Sequence, residues 1–397
     1  MLKPSYLVGV ASDVVELFSE AEMDIAAKIA RSVTTMSFPA QPTEWQKKRN
    51  KDYGHFTADV NGIISNSTKL TKREVNRIMK DAGTVALKFD DEIYRMAGLS
   101  PESLARSPAL QAVLLQGASD TMALMANFTK TMATTANGSF QVLLDRAYMM
   151  VMSGGYSQDT AIRLVIQQLA SEGISRIAYP SGSFSSVEAA TRRAIITGVN
   201  QSIAKLQLSR ANEMGCKLVE VTSHSGARPS HAVWQGGIYS LEGKHGGYPN
   251  FVASTGYGSG DGLCGWNCYH SFFPFFDGLS TPAFSHDPAK DAGKDNAHEY
   301  EIQQKQRYYE RQVRDAKKAC VVYNAALDSA RSDGQAEMLR SEFERASIIL
   351  KRREAAMNDF LNQKGLVKDG IRVTVGGFNR SVSSKAVWAN RKAHMNG

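Results

Sequence analysis

Cysteine is scarce in this chain, with 4 in 397 residues, at Cys216, Cys264, Cys268 and Cys320. So sparse a set builds no disulfide framework, which excludes a small stapled secreted domain. Long apolar runs are missing too, and no uninterrupted stretch approaches the ~18–20 residues that a bilayer crossing needs. The opening residues, MLKPSYLVGVASDVVELF, carry a short apolar run with acids soon after it. They lack the charged start, long apolar stretch and cleavage site of a signal peptide, so the expectation is a chain made and assembled in a reducing cytoplasm. Charge of one sign is in short supply: 47 basic against 39 acidic residues leave a net +8. That excess permits contact with nucleic acid without arguing for it, unless the charges cluster on one face. A phosphate-binding loop is absent as well, because GYGSGDG at 256–262 is followed by neither Lys-Ser/Thr nor a helix start.

The remaining composition is that of an ordinary globular protein, 43% hydrophobic and 22% charged. It supplies enough apolar material for a real core, and the length suggests two or three domains. Apolar residues at threes and fours predict a helix after Ser12. Thr71 and Glu74 have capping-box spacing and predict a helix start, and Ser100 with Pro101 predicts another. A helix is expected from Ser157 to a stop at Gly173, and one from Ser185 and Glu188, a second capping box, to a stop at Gly215. Phe38 to Lys69, with Pro, Asn, Ser, Gly and Trp45, reads as a long connection that packs locally, and ANGSF at 136–140 reads as a break. KLVEVTSHSG favours a strand with Val219 and Val221 on one face. Ala297 to Arg331 contains neither Gly nor Pro and predicts a helix of about 50 Å, followed by a turn at Ser332 to Gly334 and an antiparallel partner helix. The fold expected is mainly α with a small loop-rich α+β central module. Its divisions are a helical region over 1–180, the central module over 181–280, a helical hairpin over 281–362 and a basic tail over 363–397. After Asn362 there are seven Lys or Arg against one Asp. The tail reads as either a disordered, solvated terminus or an arm, with Lys385, Arg391 and Lys392, that touches phosphate or an acidic partner surface.

The chemistry-bearing residues concentrate between His224 and Gly278. TSHSGARPSHAVWQGGIYSL supplies His224, Arg228, His231, Trp234 and Gly236, and GDGLCGWNCYH supplies Gly262, Cys264, Gly265, Trp266, Cys268 and His270. A zinc reading takes His231, Cys264, Cys268 and His270 as four soft or borderline ligands. Against it stands the Cys-x-x-x-Cys-x-His spacing, which is not that of the common zinc knuckle. A nucleophile reading pairs Cys264 or Cys268 with His231 or His224 as base. The preferred reading is structural: buried cysteines pack as small apolar groups, glycines 256, 258, 260, 262 and 265 supply special backbone angles, and Trp266 plugs the module. It expects no metal and no cofactor, with His224, Arg228 and His231 satisfying buried carbonyls or one another.

These two segments closely resemble the phage minor capsid proteins of the "minor capsid protein 2" type. Those proteins look like a branch of the broader head-morphogenesis group named after protein F of phage Mu. That group shares an Arg/His stretch followed by a glycine and then a Gly-Trp-x-Cys element, matched here by Arg228, His231, Gly236, Gly265, Trp266 and Cys268. Tyr269 stands where the broader motif commonly has Arg. The resemblance is specific over Leu218 to Lys318, loose over the N-terminal helices and absent in the tail. It implies a non-enzymatic structural component of a tailed-phage virion, in the capsid interior or at the portal vertex. The implied partners are the portal protein, the major capsid protein and packaged double-stranded DNA, with assembly in the host cytoplasm and no membrane in the mature particle. It further implies support for head assembly and genome delivery. The alternative is a head-carried cysteine- or metal-dependent hydrolase centred on His231 and Cys268.

Overall fold

The structure, a computed structural model, describes residues 1–174, 176–178, 184–243, 246–285 and 295–395. In chain order its elements are α1 (Pro4–Gly9), α2 (Ser12–Thr34), α3 (Pro42–Met96), α4 (Pro108–Met152), α5 (Gln158–Glu172), β1 (Arg176–Ala178), β2 (Phe184–Ser186), α6 (Val187–Glu213), β3 (Leu218–Val221), α7 (Pro229–Ala232), β4 (Ile238–Ser240), α8 (Phe251–Thr255), β5 (Phe272–Phe275), α9 (Asn296–Leu327), α10 (Asp333–Lys364) and α11 (Arg380–Met395). The molecule is mainly α, as expected, with a small loop-rich sheet module. Among the described residues no helix is long and apolar enough to cross a membrane. The chain divides into two compact units. One comprises Met1–Val14, Thr71–Ala126 and Ala189–Gln304, and the other Val15–Leu70, Asn127–Glu188 and Lys305–Gly397. The boundary expected between 180 and 181 lies outside the described residues.

β1 and β2 form a two-stranded antiparallel pair in the second unit, while the first holds the three-stranded sheet. β3 is its central strand, antiparallel to both β4 and β5, with Val219 opposite Tyr239 on one side and Pro274 on the other. All four β3 residues are buried, as expected for a central strand covered on both faces. Glu220 is among them, and its Oε1 accepts the backbone N–H groups of Ala283 and Phe284 at 2.7 and 2.8 Å. A buried carboxylate needs such donors, so the sheet also fixes the chain that leaves it. Helix α6 backs this module. Its Gln207 donates to Asp90 Oδ2 and to the Phe272 carbonyl, both at 2.7 Å, which joins α3, α6 and β5 through buried polar bonds.

In the second unit two sequence expectations give way to one observation. The stretch read as a connection is helical from Pro42 onward, and the break expected at ANGSF lies inside α4. The reason is a ladder of contacts between these two stretches. Trp45 stacks on Tyr148 at 4.5 Å and Phe56 on Phe140 at 4.1 Å. Between them Arg49 pairs with Asp145, and just beyond Phe56 the Thr57 hydroxyl donates to Asn137 Oδ1. The partner numbers fall as the first numbers rise, so the stretches run antiparallel. Trp45 and Phe56 lie about three turns apart and share a helix face. Tertiary packing of this kind overrides weak local propensity. The Thr71 capping box also fails: Thr71 is buried within α3, and Glu74 pairs with Arg77. The start expected at Ser100 moves to the next Ser-Pro pair, where Ser107 Oγ accepts from Leu110 N at 3.4 Å ahead of Pro108.

The hairpin of α9 and α10 forms as expected. Tyr309 packs on Phe360 at 5.1 Å, and Arg353 Nη1 donates to the Gln312 carbonyl at 2.9 Å. Ser332 caps α10 by accepting from Gln335 N. Glu188, expected to serve in a capping box, pairs instead with Lys318 of α9 at 2.8 Å, and Glu22 reaches the same ammonium at 2.7 Å. Over its described residues the tail is folded, which corrects the first of its two readings, that of a disordered terminus. Gly376 N donates to Ser19 Oγ at 3.1 Å. An added Cβ at Gly376 would meet the Glu20 backbone at 2.4 Å, so only glycine fits this approach to α2. α11 then packs along α10.

Candidate functional site

The site is the loop module built on β3, α6 and the segments around them. His224 sits in the loop after β3, His231 on the short α7 behind Arg228 and Pro229, and Gly236 in the turn that leads to β4. The stretch from Gly256 to His270 folds back on itself. A Cβ at Gly262 would lie 2.0 Å from the Gly256 carbonyl oxygen, and one at Gly265 would lie 2.4 Å from that of Gly260. No other side chain fits at either position. Cys264 and Asn267 adopt left-handed backbone angles, φ 59° and 51°, so the loop also holds local strain. Helix α6 grips this loop. Asn200 Nδ2 donates to the carbonyls of Cys268 and His270 at 3.0 and 2.9 Å, and Thr197 Oγ1 accepts from Asn267 N at 2.9 Å. From the other side Arg228 Nη2 donates to the Trp266 carbonyl at 2.9 Å.

Two histidines converge on one sulfur. His231 Nδ1 lies 3.8 Å and His270 Nδ1 3.6 Å from Cys268 Sγ, and all three residues are buried. His231 Nε2 lies 2.8 Å from the Asp261 carbonyl oxygen, and His270 Nε2 lies 2.8 Å from Gln235 Oε1. Gln235 Oε1 also accepts the backbone N–H of His224 at 3.1 Å, which fixes it as the oxygen end of the amide. Burial, with Arg228 adding to it, lowers His231 to about 4 and holds His270 well below the ordinary imidazole range, so both rings are neutral. Burial likewise pushes the Cys268 thiol up to about 11 and the Cys264 thiol well above its usual value. The His231–Cys268 contact is the one a nucleophilic reading needs. With the thiol held protonated and both groups buried, the pair by itself presents no thiolate to attack with.

The four ligands of the zinc reading do not all meet. Cys264 Sγ turns to the His270 carbonyl at 3.7 Å, outside the trio of His231, Cys268 and His270. Cys264 and Cys268 both pack in an apolar cluster with Val219, Val221, Trp234, Phe251, Leu263 and Phe272. Trp266 is not the plug. It is 62% exposed, and its ring lies across Gly260 on the outside of the loop. The buried indole is Trp234, 5% exposed, packed on His231 at 4.6 Å and on His270 at 4.8 Å. Sequence reasoning passed over Asn200, Thr197 and the carbonyl of Asp261. A signal existed for the first two, since polar residues interrupt the apolar face of α6. None existed for Asp261, which acts through its backbone.

The tail residues belong to the second unit. Lys385 pairs with Asp328 at 3.1 Å and Lys392 with Glu344 at 3.3 Å, while Arg391 is exposed. Trp388, on the same helix, is exposed beneath the Lys392 ammonium.

The fold and the site together define a mainly helical protein whose first unit carries a buried cluster of two histidines and a cysteine. The chain belongs to the phage minor capsid protein 2 family, whose profile matches residues 2–362. It is thus a structural protein of bacteriophage. A structural protein of Lactococcus phage LL-H is 25% identical over 285 residues, covering 68% of this chain and 75% of that protein. A structural protein of Lactococcus phage mv4 is 40% identical over 67 residues, covering 17% of this chain and 50% of that protein. No solved structure matches.

Proposed function

We propose that this minor capsid protein acts at the portal vertex of a tailed-phage head, where it contacts the portal and the shell and lies close to the packaged DNA. In that position it supports head assembly and delivery of the genome. The observation that carries this reading is the family match, which runs through both compact units and stops only at the basic tail. Surface chemistry supports it. On the part of α4 in the second unit, Val142, Met149 and Met152 are exposed, and their spacing puts them on one helix face. An apolar row left in water marks a surface made for a protein partner. The exposed Trp388 and Arg391 of α11 add an aromatic and a cationic contact point suited to an acidic surface or to phosphate.

An asymmetric reconstruction of the intact particle tests the reading, with extra density expected at the portal vertex in few copies. Density for the chain outside the head, or a mature virion that lacks the chain, would sink it. In solution, Val142→Asp combined with Met149→Asp is expected to weaken binding to isolated portal at least tenfold while leaving the melting temperature unchanged.

A further inference from the structure

We propose that His231 Nδ1, Cys268 Sγ and His270 Nδ1 are three ligands of a divalent metal ion of the zinc class. The distances are the first ground. Tetrahedral zinc with ordinary Zn–S and Zn–N bonds sets its sulfur and nitrogen ligands about 3.6 Å apart. The two sulfur-to-nitrogen separations here are 3.8 and 3.6 Å, and all three ligand atoms lie within 4.8 Å of one another.

The hydrogen-bond accounting is the second ground. A carbonyl oxygen only accepts, so each 2.8 Å contact to Asp261 O and Gln235 Oε1 requires the proton to sit on Nε2. Each ring then turns its Nδ1 toward the same sulfur. A cysteine has at most one S–H to donate, so it can satisfy at most one of the two rings. The other Nδ1 lone pair would face sulfur lone pairs inside the protein, at the cost of a buried, unpaired acceptor. A cation between the three atoms satisfies all of them at once.

The surroundings are the third ground. Metal-bound histidines typically donate their second nitrogen to a carbonyl or carboxylate, which fixes tautomer and ring orientation. Both histidines do so here. The His270 backbone N–H points at Cys268 Sγ, 3.4 Å away, and treats the sulfur as an acceptor. Asn200 holds the carbonyls of both Cys268 and His270, so the two ligands two residues apart are clamped before any ion arrives. Binding the ion would release the Cys268 thiol proton to solvent, and two nitrogens with the resulting thiolate form a borderline-soft set that suits Zn²⁺ and Co²⁺ and disfavours Mg²⁺ and Ca²⁺. The Cys-x-His spacing, which argued against zinc on sequence grounds, is accommodated because Cys264 is not a ligand.

The test uses the full chain, purified under reducing conditions without chelator. Elemental analysis is expected to find close to one zinc per chain. Replacement by Co²⁺ is expected to give the intense ligand-field absorption of a tetrahedral site and a thiolate-to-cobalt charge-transfer band. That band should be lost in Cys268→Ser and kept in Cys264→Ser. A wild-type chain, shown folded by circular dichroism and one cooperative melt, that carries no zinc and develops no charge-transfer band with Co²⁺ overturns the proposal. So does a band that survives Cys268→Ser and disappears in Cys264→Ser. Because the wild-type protein decides the first outcome, a Cys268 variant that fails to fold leaves the proposal exposed to refutation.

Discussion

At the scale of single residues, the two tryptophans of the module part company. Trp234 is enclosed among histidine rings and the apolar cluster, so Trp234→Ala should cost ~3–5 kcal/mol. Trp266, mostly in water, should cost under ~1 kcal/mol on the same substitution. Denaturant midpoints of the two variants check this, and equal losses would mean that Trp266 is structural after all. Identity alone made both look like core residues, since nothing in the sequence says that Gly260 gives Trp266 a ledge outside the loop. His231, Cys268 and His270 were legible because their types are rare and clustered. The carbonyl of Asp261 was not, because backbone groups leave no trace in a sequence. A second residue-level case is the pair of glutamates on Lys318. Burial pushes Glu22 up to about 7 against the pull of Lys318, whereas Lys318 and Arg314 overcome burial at Glu188 and draw it down to about 2. A raised folded pKa means that the Glu22 contribution is complete below its ordinary 4.5 and is lost as pH rises through 7. The depressed Glu188 contributes above 4.5 and loses that contribution as pH falls through 2. Glu22→Gln should therefore narrow the stability difference between pH 5 and pH 8 by about 1–3 kcal/mol. Chemical melts at the two pH values measure it, and an unchanged difference would show that Glu22 is ionised throughout.

At the scale of elements, caps and stops carried the sequence reading where a helix ends locally. Ser157 and Gly173 bound α5, and Ser332 opens α10. They misled at Thr71, where the same residue types lie inside a longer helix. The long span of α3 depends on partners more than eighty residues away, such as Phe140 for Phe56, and local pattern cannot report them. The tail shows the same limit. Its composition suggested disorder, while its attachments include α11 packed along α10, the ion pairs of Lys385 and Lys392, and one glycine seated against α2. Gly376→Ala should force that contact apart and release the segment that follows. Amide hydrogen exchange is expected to rise at least tenfold across Arg380–Met395, with α5 unchanged as an internal reference. Protection that persists in the variant would mean that packing along α10 alone holds the helix.

At the scale of the whole molecule, the net +8 is spread over a surface where many cations already have partners. Each phosphate contact made by a cation contributes about 0.9 to the log–log salt slope of DNA binding. Lys385 and Lys392 must first leave Asp328 and Glu344, so replacing them together with Arg391 by Ala should shallow the slope by about one unit, not three. Scrambled duplex should bind as well as any other, because phosphate contacts do not read sequence. A slope that does not move would assign this helix to a protein surface. The mainly helical fold with a small loop-rich module was legible from composition and periodicity, and the family from two loops. The division into units was not, since it depends on which distant stretches meet.

That division alternates along the chain. Six stretches take turns, so the backbone passes from one unit to the other five times. While the protein is being synthesised, the first unit lacks its last stretch until Gln304 has emerged, and the second waits for Lys305–Gly397, about the last quarter of the chain. Neither can finish folding as an early, self-contained product, which leaves a long interval in which nascent chains are exposed to misassembly. The same threading gives the mature protein an unusual response to proteases. A nick in an exposed loop between Val15 and Lys305 yields two fragments that each contribute to both units, so cleavage there need not release either piece.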